Sequence, residues 1–418
     1  MGVIPYKFKR DPRIGMSIDI LVLMLLSTSF FELAPLQGFF AGNNAFTFLV
    51  IYMAYMYIRY MGLTFRQGIM KHLIPLVWIF VSLLVSFIPA YLYYGQHLYH
   101  SLVVYRKSLV FLSLPLLLSI RPTLREMHLA FYAFGVLFTI VSFLATYVYQ
   151  DWLIPAEGME YVLQEDPLKS MSGLIFMTTS LVFALDDYRR SRRRKYLYLS
   201  IFLYAVVFLV QNRTMILSSS AVVFAAAFFN TKARSRLVSI VYLIFFILMV
   251  LLVGWDYLSA LMDETMGQLT DEDYNRVKAF NYFISPVNGE WAFVWGNGFI
   301  SGHVSSLMAD LREEGIYNSD LGLIGLWNQF GLLFPLSVLY YQIQRLSHKS
   351  SFHVRAMALS MLLCALTMAY YFTYASILWL CFFYFLMGTD VEYYRNLDIE
   401  RRRTLKRMTR YRSLYTKR

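Results

Sequence analysis

The sequence predicts an all-α fold, a polytopic integral membrane helical bundle of about 12 transmembrane helices. One large extracytoplasmic loop is expected between helices 9 and 10. Three observations predict this. The chain is 58% hydrophobic and 18% aromatic, with mean hydropathy +0.50, which is too apolar for a water-soluble domain. Its apolar runs recur at the length, about 20 residues, that crosses a bilayer. Lys and Arg concentrate in alternate loops, as short cytoplasmic loops require.

Taken in order, residues 1–14 form a basic tail with Lys7, Lys9, Arg10 and Arg13. Apolar runs follow at 15–36, 44–61, 72–94, 101–120, 127–149, 170–186, 196–211, 214–230 and 237–258, so residues 15–255 hold helices 1–9. The first run has no small-residue cleavage site after it and reads as a retained helix. Residues 256–317 form the large loop, too long and too polar to be a simple connection. Runs at 318–342, 356–371 and 373–389 make helices 10–12, and 390–418 is a second basic tail with Arg401, Arg402, Arg403, Lys406 and Arg407. An even number of crossings places both tails on one side, and their shared charge makes that side cytoplasmic. Of 38 Lys and Arg, only Arg106, Lys107, Lys169, Arg213, Arg276, Lys278 and Arg312 fall in the outward set.

Charge and motif content exclude several classes. The net charge of +12 sits in segments flanking helices, such as Arg189 to Lys195, where it meets anionic headgroups rather than nucleic acid. The two cysteines, Cys364 and Cys381, lie inside apolar runs and indicate no disulfide framework. No phosphate-binding Gly-rich loop with Lys, no GxSxG and no HExxH occurs. His97 and His100 are a pair without acidic or Cys partners, so no metal is expected.

The outward cations are the first candidates for chemistry, because an arginine at membrane depth is costly and marks an ion or substrate site. Asn212-Arg213-Thr214 lies between two runs, with Ser218 to Ser220 following. Snorkelling of Arg213 to headgroups is the plain alternative. In the large loop, Tyr274-Asn275-Arg276 precedes Trp291 and Gly296-Asn297-Gly298. A guanidinium holds phosphate oxygens bidentately, and glycines allow close backbone approach to a ligand. Pairing of Arg276 with a neighbouring Asp is the alternative there. Asn318-Ser319-Asp320 opens the tenth run as either a boundary carboxylate or a helix cap. His303 is the one histidine of the large loop.

The order of these features resembles the bacterial O-antigen polymerase and ligase superfamily. The resemblance rests on Asn212-Arg213-Thr214 before a Ser/Ala-rich run, on Arg276 leading to Gly296-Asn297-Gly298, and on Asn318-Ser319-Asp320 followed by Gly322, Gly325 and Gly331. Asp166-Pro167 to Gly173 adds a fainter likeness, and the whole covers roughly residues 160–340. Tyr317-Asn318 stands where ligases carry His-Asn, which favours a polymerase.

The family implies a glycosyltransferase of the bacterial cytoplasmic membrane, with both termini cytoplasmic and the active site outside. Its donor is an undecaprenyl-diphosphate-linked oligosaccharide; its surroundings are membrane lipids and, for a polymerase, a chain-length regulator protein. No cofactor, metal or nucleic acid is expected. Arg213 and Arg276, helped by Arg106 and Lys107, are then expected to hold the diphosphate. Asp320 is the first candidate base and His303 the second. Asn318, Tyr274 and Trp291 are expected to meet the glycan. A ligase of the same fold, a lipid-linked oligosaccharide flippase and a peptidoglycan glycosyltransferase are the alternatives.

Overall fold

The computed structural model describes residues 13–33, 36, 43–60, 74–148, 173–210, 212–228, 275–284, 290–299, 321–346, 350–365 and 373–390. All regular structure among them is helical. In chain order the helices are α1 (Ile14–Ser27), α2 (Asn43–Arg59), α3 (Ile74–Val85), α4 (Phe87–Tyr94), α5 (Leu98–Tyr105), α6 (Ser113–Ile120), α7 (Leu124–Tyr147), α8 (Leu174–Ser191), α9 (Arg194–Leu209), α10 (Arg213–Phe228), α11 (Asn275–Ile284), α12 (Glu290–Trp295), α13 (Leu323–Phe330), α14 (Leu333–Arg345), α15 (Phe352–Cys364) and α16 (Tyr374–Asp390).

Three stretches are long and apolar enough to cross a membrane, Ile74–Tyr94, Leu98–Ile120 and Leu124–Ala145. Shorter apolar helices cover Ile14–Ser27, Thr214–Ala226, Phe352–Cys364 and Tyr374–Asp390. These lengths and compositions suggest a membrane protein. The expected run at 237–258 lies outside the described residues.

Several runs expected as single helices are broken, and proline explains each break. A proline ring lacks the N–H donor and crowds the carbonyl four residues back. Pro89 does this to Val85, where α3 ends and α4 begins one residue later. Pro115 does it to Phe111, and upstream of it the chain runs as a 3-10 helix over Arg106–Leu112. The carbonyls loosened there find other partners. Tyr57 Oη donates to Leu112 O at 2.8 Å, and the Cys381 thiol lies 4.0 Å from Val110 O and 3.9 Å from Phe111 O. Pro335 sets the third break, so the run expected over 318–342 is α13 and α14, parted at Gly331 (φ 71). α13 starts at Leu323 with Gly322 at its N-cap, and Asn318, Ser319 and Asp320 lie outside the described residues.

Two helices form the centre. Every residue of α8 from Leu174 to Asp186 is buried, and so is α16 from Ala375 to Met387, which is how helices without a solvent or lipid face behave. Thr178, Thr179 and Ser180 bond back to the carbonyls of Leu174, Ile175 and Phe176. Thr179 also accepts from the Trp379 indole at 2.7 Å, which ties α8 to α16. Phe382 packs edge-on against Phe131 of α7 and Phe176 of α8. Cys364 and Cys381 are both buried and free.

The contacts sort the helix ends into two groups. At one end, Arg13 before α1 pairs with Glu126 at the start of α7, where Thr123 and Glu126 also close a capping box. The end of α2 meets α1 through Arg59 and Asp19, and the end of α16 meets the start of α15 through Asp390 and Ser351 N. At the other end, Gly173 before α8 lies against Thr28 after α1, and Phe46 of α2 stacks on Tyr374 of α16. This is the alternation that successive crossings of one layer produce.

Candidate active site

The second end holds two of the outward cations singled out from the sequence, Arg106 and Lys107. Arg106 and Lys107 open the 3-10 stretch between α5 and α6. The Arg106 guanidinium lies 5.9 Å from the Phe46 ring and the Lys107 ammonium 5.7 Å from the Tyr374 ring. Those two rings stack on each other at 5.5 Å. Two adjacent cations are thus held over one aromatic pair, each contact worth about 0.5–2 kcal/mol.

Next to this pair the Gly296–Gly298 segment is clasped onto the break between α13 and α14. Asn297 N donates to Asn328 O at 2.6 Å and Gly298 N to Gln329 O at 3.0 Å. Leu332 N donates back to Val294 O at 3.0 Å. The link to the cations is Tyr105, the residue before Arg106. Its ring packs on Phe299 and Phe330, its hydroxyl bonds Ser86, and Gln96 Nε2 donates to Phe299 O at 3.1 Å. The glycines do allow close backbone approach, but to the protein's own backbone. A Cβ on Gly298 (φ +82) would stand 2.5 Å from Ala90 N, and one on Gly296 would collide with Gly331 N.

The other candidates attach to the same clasp through their helices. Arg276 is the second residue of α11, which packs on α13 through Ala279, Phe283 and Leu321 and receives Asn328 Nδ2 on Phe283 O at 3.1 Å. Arg213 is the first residue of α10, capped by Asn212 Oδ1 accepting from Met215 N at 3.1 Å. Met215 meets Cys364 of α15, and the following Ala365 O accepts from Leu323 N at the start of α13. Trp291 stands 72% exposed on α12. Tyr274, His303, Asn318 and Asp320 lie outside the described residues. So does the metal question for most of the large loop; among the described residues no three His, Cys, Asp or Glu side chains converge.

Sequence reasoning passed over the opposite end, which carries a dense titratable network. Buried Asp186 Oδ2 lies 2.7 Å from Arg190 and 3.0 Å from His353 Nδ1. Asp187 accepts from Tyr132 Oη at 2.7 Å and faces His128 Nδ1 at 3.0 Å. Burial works against ionisation of Asp187, yet the bonds from His128 and Tyr132 outweigh it and hold its carboxyl below the usual carboxylate range. Asp19 gathers Tyr52, Tyr60 and Arg59. The available signals were Asp19 and His128, single polar residues inside or at the edge of apolar runs.

No protein-family model matches the chain, and no curated protein matches it in sequence.

Proposed function

We propose that the protein is a polysaccharide polymerase of the bacterial cytoplasmic membrane, with about twelve crossings and both termini cytoplasmic. It would transfer glycan from undecaprenyl diphosphate to a hydroxyl of another lipid-linked repeat unit at the outer face. The observation that carries this reading is the Arg106–Lys107 pair, two adjacent cations held over stacked rings within a membrane-length apolar stretch. Charge at such depth is costly and marks an ion or substrate site.

The chemistry suits those residues. The acceptor oxygen forms a bond to the anomeric carbon while the bond from that carbon to the diphosphate oxygen breaks. The electron pair leaves with the lipid diphosphate, and the hydroxyl proton passes to a base, Asp320 or His303 in this reading. Charge building on the diphosphate is best met by preorganised cations in a site of low dielectric. Arg106 and Lys107 supply two, and Arg213 and Arg276 lie on helices tied to the same clasp. Trp291 and Tyr274 would stack on sugar faces, with Asn318 hydrogen-bonding them. A chain-length regulator is the partner this activity calls for.

The test uses protein in nanodiscs with undecaprenyl-diphosphate-linked repeat units from its own host, with products separated by size. Wild type should build a ladder of lengthening lipid-linked glycan, and Arg213→Ala, Arg276→Ala and the double change Arg106→Ala/Lys107→Ala should lose it. Absence of a ladder from folded protein with authentic donor would sink the reading. One observation favours a second reading. The Asp186–His353 and His128–Asp187 pairs are the kind of proton-accepting groups a proton-coupled lipid-oligosaccharide flippase employs. Proton-dependent lipid translocation in liposomes without chain growth would select it. Transfer to a different acceptor without chain growth would select a ligase.

A further inference from the structure

An open, shallow apolar groove runs along the outer face of α1 and α2. It has a volume of ≈ 570 Å³ and is lined by Val22 and Leu26 of α1 and by Phe48, Ile51, Tyr52 and Tyr55 of α2. The α2 residues share one face, spaced as i, i+3, i+4 and i+7, and span about 10 Å of helix. Arg59 continues that stripe at i+11, about 6 Å beyond Tyr55. Its Nη1 donates to Asp19 Oδ1 and to Tyr55 Oη, both at 3.0 Å. Asp19 is buried behind it and also accepts from Tyr52 and Tyr60. The guanidinium is therefore fixed in orientation by one edge. Among the described residues its Nε and Nη2 donors make no hydrogen bond, and the side chain is 41% exposed. Arg13, paired with Glu126, lies at the same end.

We infer that this groove binds an anionic glycerophospholipid of the bilayer, with one acyl chain along the α1–α2 lining and the phosphate on the outward edge of Arg59. Charge complementarity selects that occupant. An apolar trough alone accepts any chain, but a pre-oriented planar cation with open donors at its mouth favours a phosphate bearing net negative charge. A zwitterionic headgroup brings a compensating ammonium to the same place. The site stands at the ion-paired end of α2, whereas Phe46 and the cation pair stand at the other. Its failure would leave the proposed glycosyl transfer untouched.

Native mass spectrometry of the detergent-solubilised full chain tests it. The probes are palmitoyl-oleoyl phosphatidylglycerol and the matching phosphatidylcholine, each with and without excess inorganic phosphate. Wild type should retain the glycerol lipid in preference to the choline lipid, and inorganic phosphate should not displace it. Arg59→Gln should weaken retention about fivefold, which is what roughly 1 kcal/mol per juxtamembrane cation amounts to. Ile51→Trp should weaken it by filling the trough. Ile51 is exposed, so that variant keeps the test open if Arg59→Gln fails to fold around Asp19. Ile140→Trp, an equally exposed change on α7, should have no effect. Equal retention of both lipids, full displacement by inorganic phosphate, or unchanged retention in Ile51→Trp would each overturn the inference.

Discussion

Gly298→Ala isolates the clasp that holds the candidate site together. The added methyl costs twice. At φ +82 an L side chain sits in the left-handed region, at about 1–2 kcal/mol. It also meets backbone, 2.5 Å from Ala90 N and 2.7 Å from Ala90 Cα, where nothing flexible can yield, and such overpacking costs about 1–3 kcal/mol more. The sum is about 2–5 kcal/mol. Gly95→Ala is the internal control. Gly95 also has a positive φ, +62, but nothing lies within 4 Å of its absent Cβ, so it carries the conformational cost alone. Thermal unfolding of the two variants in one detergent should place Gly298→Ala several degrees below Gly95→Ala. Ala90→Gly should return part of the difference, since the Ala90 Cβ is another close atom at 2.6 Å. Equal melting of the two variants would refute the backbone-to-backbone reading of the glycine pair.

Other outcomes follow from single contacts. Trp379→Phe should destabilise the chain by about 1–3 kcal/mol in chemical unfolding, because it deletes the indole donor and leaves Thr179 Oγ1 without a donor in the core, though it still donates to Ile175 O. Because the folded Asp187 carboxyl is held below its ordinary range, its bonds to His128 and Tyr132 contribute fully above the unfolded carboxylate value and fade as pH falls through the folded one. The melting temperature of wild type should therefore exceed that of Asp187→Asn at neutral pH, with the gap closing toward acid. Glu126→Gln should cost about 1–3 kcal/mol, since the charge-assisted bonds to Arg13 weaken while part of the capping box survives. In the nanodisc assay Arg106→Ala/Lys107→Ala should slow chain growth about a hundredfold or more if the pair meets developing charge. Equal loss of donor binding and of rate would assign it to ground-state binding alone.

Hydropathy made α7 legible almost residue for residue, because its 24 residues are one unbroken apolar helix with a Thr123 cap. It did not distinguish such a helix from one interrupted by Pro89, Pro115 or Pro335, since the residues around each break are as apolar as their neighbours. Thr178 to Ser180 fall inside the run expected over 170–186, and hydropathy gives no sign that they form the seam between α8 and α16. In the site, the sign of their surroundings exposed Arg106 and Lys107. Their aromatic partners Phe46 and Tyr374 come from opposite ends of the chain, and no local pattern links them. Gly296-Asn297-Gly298 was recognised as a place of close approach, but sequence cannot say what approaches. His128 and Asp187 were missed because, in one dimension, each resembles an ordinary charge flanking a helix.

The burial of α16 also bears on the order in which the protein is made. Every helix it touches, α2, α7, α8 and α14 among them, is translated before it. Until it arrives, Thr179 Oγ1 lacks the Trp379 indole donor, and the Val110 and Phe111 carbonyls lack the Cys381 thiol beside them. A chain stopped before Tyr374 lacks the fully buried helix against which α7 and α8 pack. Premature termination at that point should yield rapid proteolysis rather than a shortened, folded bundle.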